Sequence, residues 1–271
     1  MSPDHHAADG RLRLSRLDEI CLKAEIIHAT KALGFPDFSG DGKYLVLHPS
    51  RELTTHLGRR EDDYNNTLTA RLLLLLESRP LLEGWIYDET IDAVIAAYWR
   101  DYADHKDHFA PAFLTNDILR LWRTFCVNYE ANKTDEPEER KAKGRLQNFK
   151  LKHSRMLTCY SAILFLLHKF ERKQTVTVED AKHMVGLTPT GRIRFLIEKE
   201  SGARLVLEGL LDKYDAFLHL TNDAEEAQLA AFLDPALSKQ RLEQAAQFGD
   251  DVAEAVNKIG RGSRLHRHLI V

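Results

Sequence analysis

Two groups of residues have the types and spacing to hold an anion. The first lies in "RKAKGRLQNFKLKHSR", Arg140 to Arg155, which has seven Lys or Arg in sixteen residues and no acid. At about 100° per residue, Arg145, Asn148, Lys152 and Arg155 share one arc of a helix. That arc abuts the apolar arc of Leu146, Phe149, Met156, Leu157, Tyr160, Ile163, Leu164 and Leu167, so it falls on the shoulder of a buried face. Guanidinium forks and ammonium groups there suit phosphate, and an amide suits a base or sugar. The competing reading is a solvated basic surface answered by Asp135, Glu136, Glu138 and Glu139. Arg140, Lys141 and Lys143 belong to that approach.

The second group lies in "TNDILRLWRTFCVNYE". Ile118, Leu121, Trp122, Phe125 and Tyr129 form its apolar face, with Arg120 and Arg123 together on the other. Two arginines on one face make either an anion site or a set of ion pairs, the latter worth little at a surface. Thr115 to Asp117 read as helix caps. "DHKDH" (Asp104 to His108) reads as a polar helix end and "HRH" (His266 to His268) as a weak cluster, because no distant His/Asp pattern complements either. Nucleophile elbows and phosphate-binding glycine loops are absent, and "SGDGK" lacks the P-loop spacing.

The elements that must position these groups are helices. Ser15 and Asp18 read as a capping pair for a helix over Leu17–Leu33, whose apolar face is Leu17, Ile20, Cys21, Ala24, Ile27 and Leu33. "YLVLH", Tyr44 to His48, is the one strand signal. "TLTARLLLLLES" is apolar all round and predicts a central buried helix. An amphipathic helix over "DETIDAVIAAYWRDYADH", a long one over Lys143–Arg172, two Thr-started ones in 175–201 and two or three more from Arg204 to Ile259 follow. The expected fold is mainly α, a bundle of about ten helices with a small N-terminal α/β remnant. Residues 1–14 are expected to be disordered, 15–62 to be the remnant and 63–271 to be the helical domain.

The chain has 271 residues and a net charge of −3, with 44% hydrophobic and 29% charged residues. An ordinary composition with a pI near 6.5 argues against non-specific nucleic-acid coating but leaves room for a local basic groove. Cys21, Cys126 and Cys159 match no metal or disulfide spacing and sit in apolar patterns, which predicts buried free thiols. The longest apolar run, Leu72 to Leu76, is too short to span a bilayer. A soluble cytoplasmic protein without membrane contact is expected.

Several segments together carry a resemblance. "GFPDFSGDGKYL", "LGRREDDYNNTLTARLLLLLES", "FLTNDILRLWRTFCVNYE", "LQNFKLKHSRMLTCYSAILFLL" and the ending "GSRLHRHLIV" resemble bacterial nucleotidyltransferase-domain proteins of the polymerase-β superfamily. These are minimal nucleotidyltransferases with a helical C-terminal substrate-binding domain. The likeness covers roughly residues 31–200 and the tail.

The resemblance implies NMP transfer from an NTP, with Mg2+ held by an Asp-x-Asp pair and the triphosphate by a Gly-Ser element. Neither element is present. "SRLDE", Ser15 to Glu19, lacks one carboxylate and lies on a helical pattern, and Asp41 only precedes the candidate strand. The chain therefore reads as starting after the catalytic hairpin, either truncated or catalytically inactive, with Mg2+ needed only by a competent form. The resemblance implies ligand-facing roles for Asn116, Asp117, Arg120 and Arg123. It implies the same for Asn148, Lys150, Lys152, Ser154 and Arg155, although Lys150 falls on the other shoulder of its helix. The ligand would be a nucleotide or phosphorylated substrate. The alternative is a non-catalytic helical module for nucleic acid or a protein partner.

Overall fold

The computed structural model describes residues 14–38, 42, 45–81, 84–131 and 137–270. The chain divides into two units, Met1–Pro49 and Ser50–Val271. In the first, helix α1 (Arg16–Ala32) begins at the expected capping box, in which the Ser15 side chain accepts from the Asp18 amide and the Asp18 carboxylate accepts from the Ser15 amide. No residue of α1 is buried, and Leu17, Ile20 and Leu33 are exposed. Leu45–His48 is irregular and forms no strand, as a lone strand without a ladder partner must be. Tyr44, Asp41 and residues 1–13 lie outside the described residues.

The second unit is helical throughout. Two single turns, α2 (Glu52–Thr55) and α3 (Glu61–Tyr64), lead into α4 (Thr67–Glu77) and α5 (Gly84–Tyr98). α2 and α3 belong to this unit rather than to the remnant assigned to 15–62, because Leu53, Leu57 and Asp62 are buried against α4 and its neighbours. α6 (Ala112–Ala131) follows. Its start lies at Pro111, so Thr115 and Asp117 are buried within the helix instead of capping it, and the Thr115 hydroxyl donates back to the Pro111 carbonyl at 2.9 Å.

The long helix is real but not uniform. α7 (Glu138–Lys150) and α8 (Met156–Lys173) are joined without a break by a π turn, Leu151–Arg155. A π turn closes i→i+5 rings and shifts the helix phase. The single apolar arc expected across this helix is thereby split. Leu146 and Phe149 enter a cluster with Phe217, Phe232 and Ala245. Leu157, Ile163, Leu164 and Leu167 enter the main core with α4, α5 and α6.

α9 (Val178–Gly186) and α10 (Pro189–Lys199) start at Thr177 and Thr188, whose hydroxyls accept from Asp180 and Gly191 amides. The bundle closes with α11 (Arg204–Thr221), α12 (Glu225–Leu233), α13 (Pro235–Gly260) and α14 (Arg264–Ile270). Among the described residues no helix is long and apolar enough to cross a membrane. Only Cys159 fulfils the buried-thiol expectation, since Cys126 is half-buried and Cys21 lies exposed on α1.

Two arginines missed at the sequence level organise the interior. Arg71, in the middle of the apolar α4, is fully buried. It donates to both oxygens of Asp62 at 2.9 and 2.5 Å, to the Tyr98 hydroxyl at 3.0 Å and to the Leu53 carbonyl at 3.2 Å. Arg192 on α10 is also fully buried. It donates to the Met184 carbonyl at 2.8 Å and the Leu76 carbonyl at 2.7 Å, in the last turns of α9 and α4. Its charge sits against two helix C-termini, where the macrodipole is negative. Burial pulls its guanidinium down to about 10.

Candidate anion site on α6 and the π turn

α6 packs against both α8 and the π turn. The floor of this junction is aromatic: Trp122 meets Tyr160 edge-on, with centroids 6.1 Å apart, and the Arg155 guanidinium lies over the Phe125 ring at 5.4 Å. Three of the expected cations gather around it. Burial pushes the Cys126 thiol up against the opposing pull of the nearby Lys152 ammonium. Burial likewise raises the Tyr160 phenol, with the Arg123 guanidinium opposing. Lys152 thus acts on Cys126, against the Glu130 carboxylate, and Arg123 acts on Tyr160.

These cations differ in what already neutralises them. Arg155 is paired with Glu77, whose other oxygen accepts from the Thr158 hydroxyl at 3.0 Å. Among the described residues no ion pair joins Arg123 or Lys152 to a carboxylate, although Glu130 acts on Cys126 alongside Lys152. Uncompensated cations over an aromatic floor can hold an anion and stack a planar group.

The remaining expected residues divide between other places. Asp117 is buried one helix turn before Arg120. It accepts from the Tyr98 hydroxyl at 2.7 Å and lies 3.5 Å from Arg71. Burial raises its carboxyl, partly offset by Tyr98, Arg71 and Arg120. Arg120 reaches Asp63 on α3 and stands 3.8 Å from Asp117. Asn116 is exposed, and Asn148, Lys150 and Ser154 are half-buried. Arg145, expected beside Lys152, instead donates to the Phe232 carbonyl of α12 at 3.4 Å and stands 3.8 Å from Glu138. The phase shift of the π turn separates it from Lys152 and Arg155.

Lys141 and Lys143 pair with Glu138 and Glu225 at 3.0 and 3.6 Å, as a solvated approach should. Asp135 and Glu136 lie outside the described residues. His105 caps its own turn on the Asp101 carbonyl, and His266 is buried in α14.

The lone Arg71 in an otherwise apolar helix was the one sequence signal for the Asp62–Arg71–Tyr98–Asp117 network, since a buried guanidinium needs acceptors for its donors. Glu77 carried no such signal.

Among the described residues no group of three His, Cys, Asp or Glu side chains could hold a metal ion. Asp62 and Asp117 share a site, but Arg71 and the Tyr98 hydroxyl already occupy their oxygens. The described carboxylates of this site are therefore engaged by a cation and a phenol and do not by themselves form a Mg2+ site. No protein-family model matches the chain, and neither a curated protein nor a solved structure does.

Proposed function

We propose that the helical unit binds a nucleotide or phosphorylated substrate across α6 and the π turn, as the substrate-binding part of a nucleotidyltransferase-type protein without a catalytic site of its own. Arg123 and Lys152 engage the phosphate. Arg155 exchanges Glu77 for phosphate or steers from beside it, and the base or another planar group lies along Phe125, Trp122 and Tyr160. The observation that supports this reading is that the Arg155 guanidinium lies over Phe125 beside the Trp122–Tyr160 pair, while Lys152 acts on Cys126 and Arg123 on Tyr160 in the same junction. A purely structural basic face would neutralise its cations, as Lys141 and Lys143 do.

Calorimetric titration of the full chain with ATP, inorganic phosphate and adenosine tests it. ATP should bind more tightly than either fragment. Arg123→Ala and Lys152→Ala should each weaken ATP about tenfold, the loss of roughly one charge-assisted hydrogen bond. Lys141→Ala should leave it unchanged. Equal effects of the three substitutions, or no ATP binding, would refute the assignment.

A further inference from the structure

A second concavity lies beside the π turn. A cavity of about 150 Å3 opens between the π turn, α11 and α13, with Phe149, His153, Lys213, Phe217, Gln244 and Gln247 among its lining residues. Its most buried polar wall is His153, only 2% exposed. The imidazole is held on three sides. It stacks flat on Phe217 at 4.7 Å and 2°, and lies 4.5 Å from Phe149 and 4.8 Å from Phe248. Its Nδ1 contacts the Phe149 carbonyl at 2.8 Å.

A carbonyl can only accept, so Nδ1 carries the proton. Burial holds His153 below the usual histidine range, which keeps the ring neutral at pH 7. Nε2 is then a lone-pair acceptor, and it has no partner among the described residues. It is not one of the fully enclosed polar atoms left without a partner, so it opens onto accessible space, where a ligand donor can reach it. The helix also spends a π turn on placing this residue, and such turns recur at functional sites.

We propose that this cavity is a binding site for one small planar ring bearing a hydrogen-bond donor, the donor directed at His153 Nε2 and the ring packed against Phe149 and Phe217. Volume sets the size, since about 150 Å3 accommodates a single benzene-sized ring. The lining sets the chemistry. Aromatic walls favour a flat π system. The Gln247 amide offers either hydrogen-bond role to a second polar atom, and Gln244, whose oxygen accepts from Arg241 at 3.1 Å, offers its NH2. Lys213 is already neutralised by Asp251, so the site does not select an anion. This site is independent of the α6 anion site, because the two face different helices.

The test uses phenol as the probe and benzene as its donor-free counterpart, measured by calorimetry and by NMR of the His153 ring protons in the full chain. Phenol should bind at least tenfold more tightly than benzene and shift the His153 signals. Ala216 lines the same cavity yet is exposed, so Ala216→Trp should fill the space without disturbing the fold and abolish phenol binding. His153→Phe keeps the ring and removes the acceptor, and should bring phenol down to the level of benzene. Should that variant not fold, the phenol-to-benzene ratio and Ala216→Trp decide the matter. Equal affinity for the two probes would overturn the role of His153, and phenol binding that survives Ala216→Trp would overturn the site.

Discussion

Asp62→Asn, Arg71→Met and the double variant together test what holds α3, α4, α5 and α6 in register. Arg71 is surrounded: both oxygens of Asp62 lie within 2.9 Å and Asp117 stands at 3.5 Å. Asp62 also accepts from the Thr67 hydroxyl at 2.7 Å. Breaking a buried pair by removing one partner costs about 3–5 kcal/mol, because the survivor is left uncompensated. Asp62→Asn leaves Asp117 near Arg71, so its cost belongs at the lower end, about 3 kcal/mol. Arg71→Met leaves Asp62 and Asp117 buried together without a cation, so its cost belongs at the upper end, about 5 kcal/mol.

The double variant removes the cation and one anion. It should cost no more than Arg71→Met alone, a coupling of about 3 kcal/mol. Urea melts at pH 7 give the free energies, and thermal melts should show roughly 6–12 °C lost for Asp62→Asn. The acid limb supplies a second reading. Burial would raise the Asp62 carboxyl, but Arg71, Thr67 and the Gly58 amide outweigh it and hold it below the usual range. Its contribution is thus full above about pH 4 and is lost as pH falls through the depressed value. Arg71→Met should flatten that limb. Coupling below about 1 kcal/mol, or an unchanged acid limb, would refute the reasoning.

Three further outcomes follow from the same structure. Arg192→Met should destabilise by about 3 kcal/mol in urea melts, because the Leu76 and Met184 carbonyls it leaves bare cannot be removed with it; a neutral result would show that those helix ends find other donors. In native protein, a thiol reagent should label Cys21 at once and Cys126 slowly. Cys159, pushed up to about 12 by burial, should react only on unfolding, and its prompt labelling in native protein would contradict the packing. Gly58→Ala and Gly144→Ala should have opposite signs. At Gly58, φ is +73° and a Cβ would stand 3.1 Å from the Phe113 ring, so alanine should cost about 1–3 kcal/mol. At Gly144, within α7 and facing open space, alanine should stabilise by up to about 1 kcal/mol in the same melts.

The sequence by itself determined what depends on neighbours along the chain. The capping boxes at Ser15–Asp18 and Thr177–Asp180, the burial of the all-apolar α4 and the mainly helical class all follow from local hydrogen bonding and apolar periodicity. So does the placing of Lys152 and Arg155 on the shoulder of a packed helix. Tertiary structure alone decided what depends on the partner. A periodicity of 100° per residue cannot foresee a π turn, because that turn is stabilised by what packs on each side of it. The turn sent Arg145 to α12 and kept Lys152 and Arg155 beside α6. The same turn set His153 against a cavity. Likewise no local rule marks which acid answers a buried arginine. Arg71 found Asp62 nine positions away, whereas Arg192 found no acid and was satisfied by the ends of two helices. Arg120 and Arg123 share one face of α6, but only the fold distinguishes them: Asp63 pairs with the first, whereas the second bears on the Tyr160 phenol.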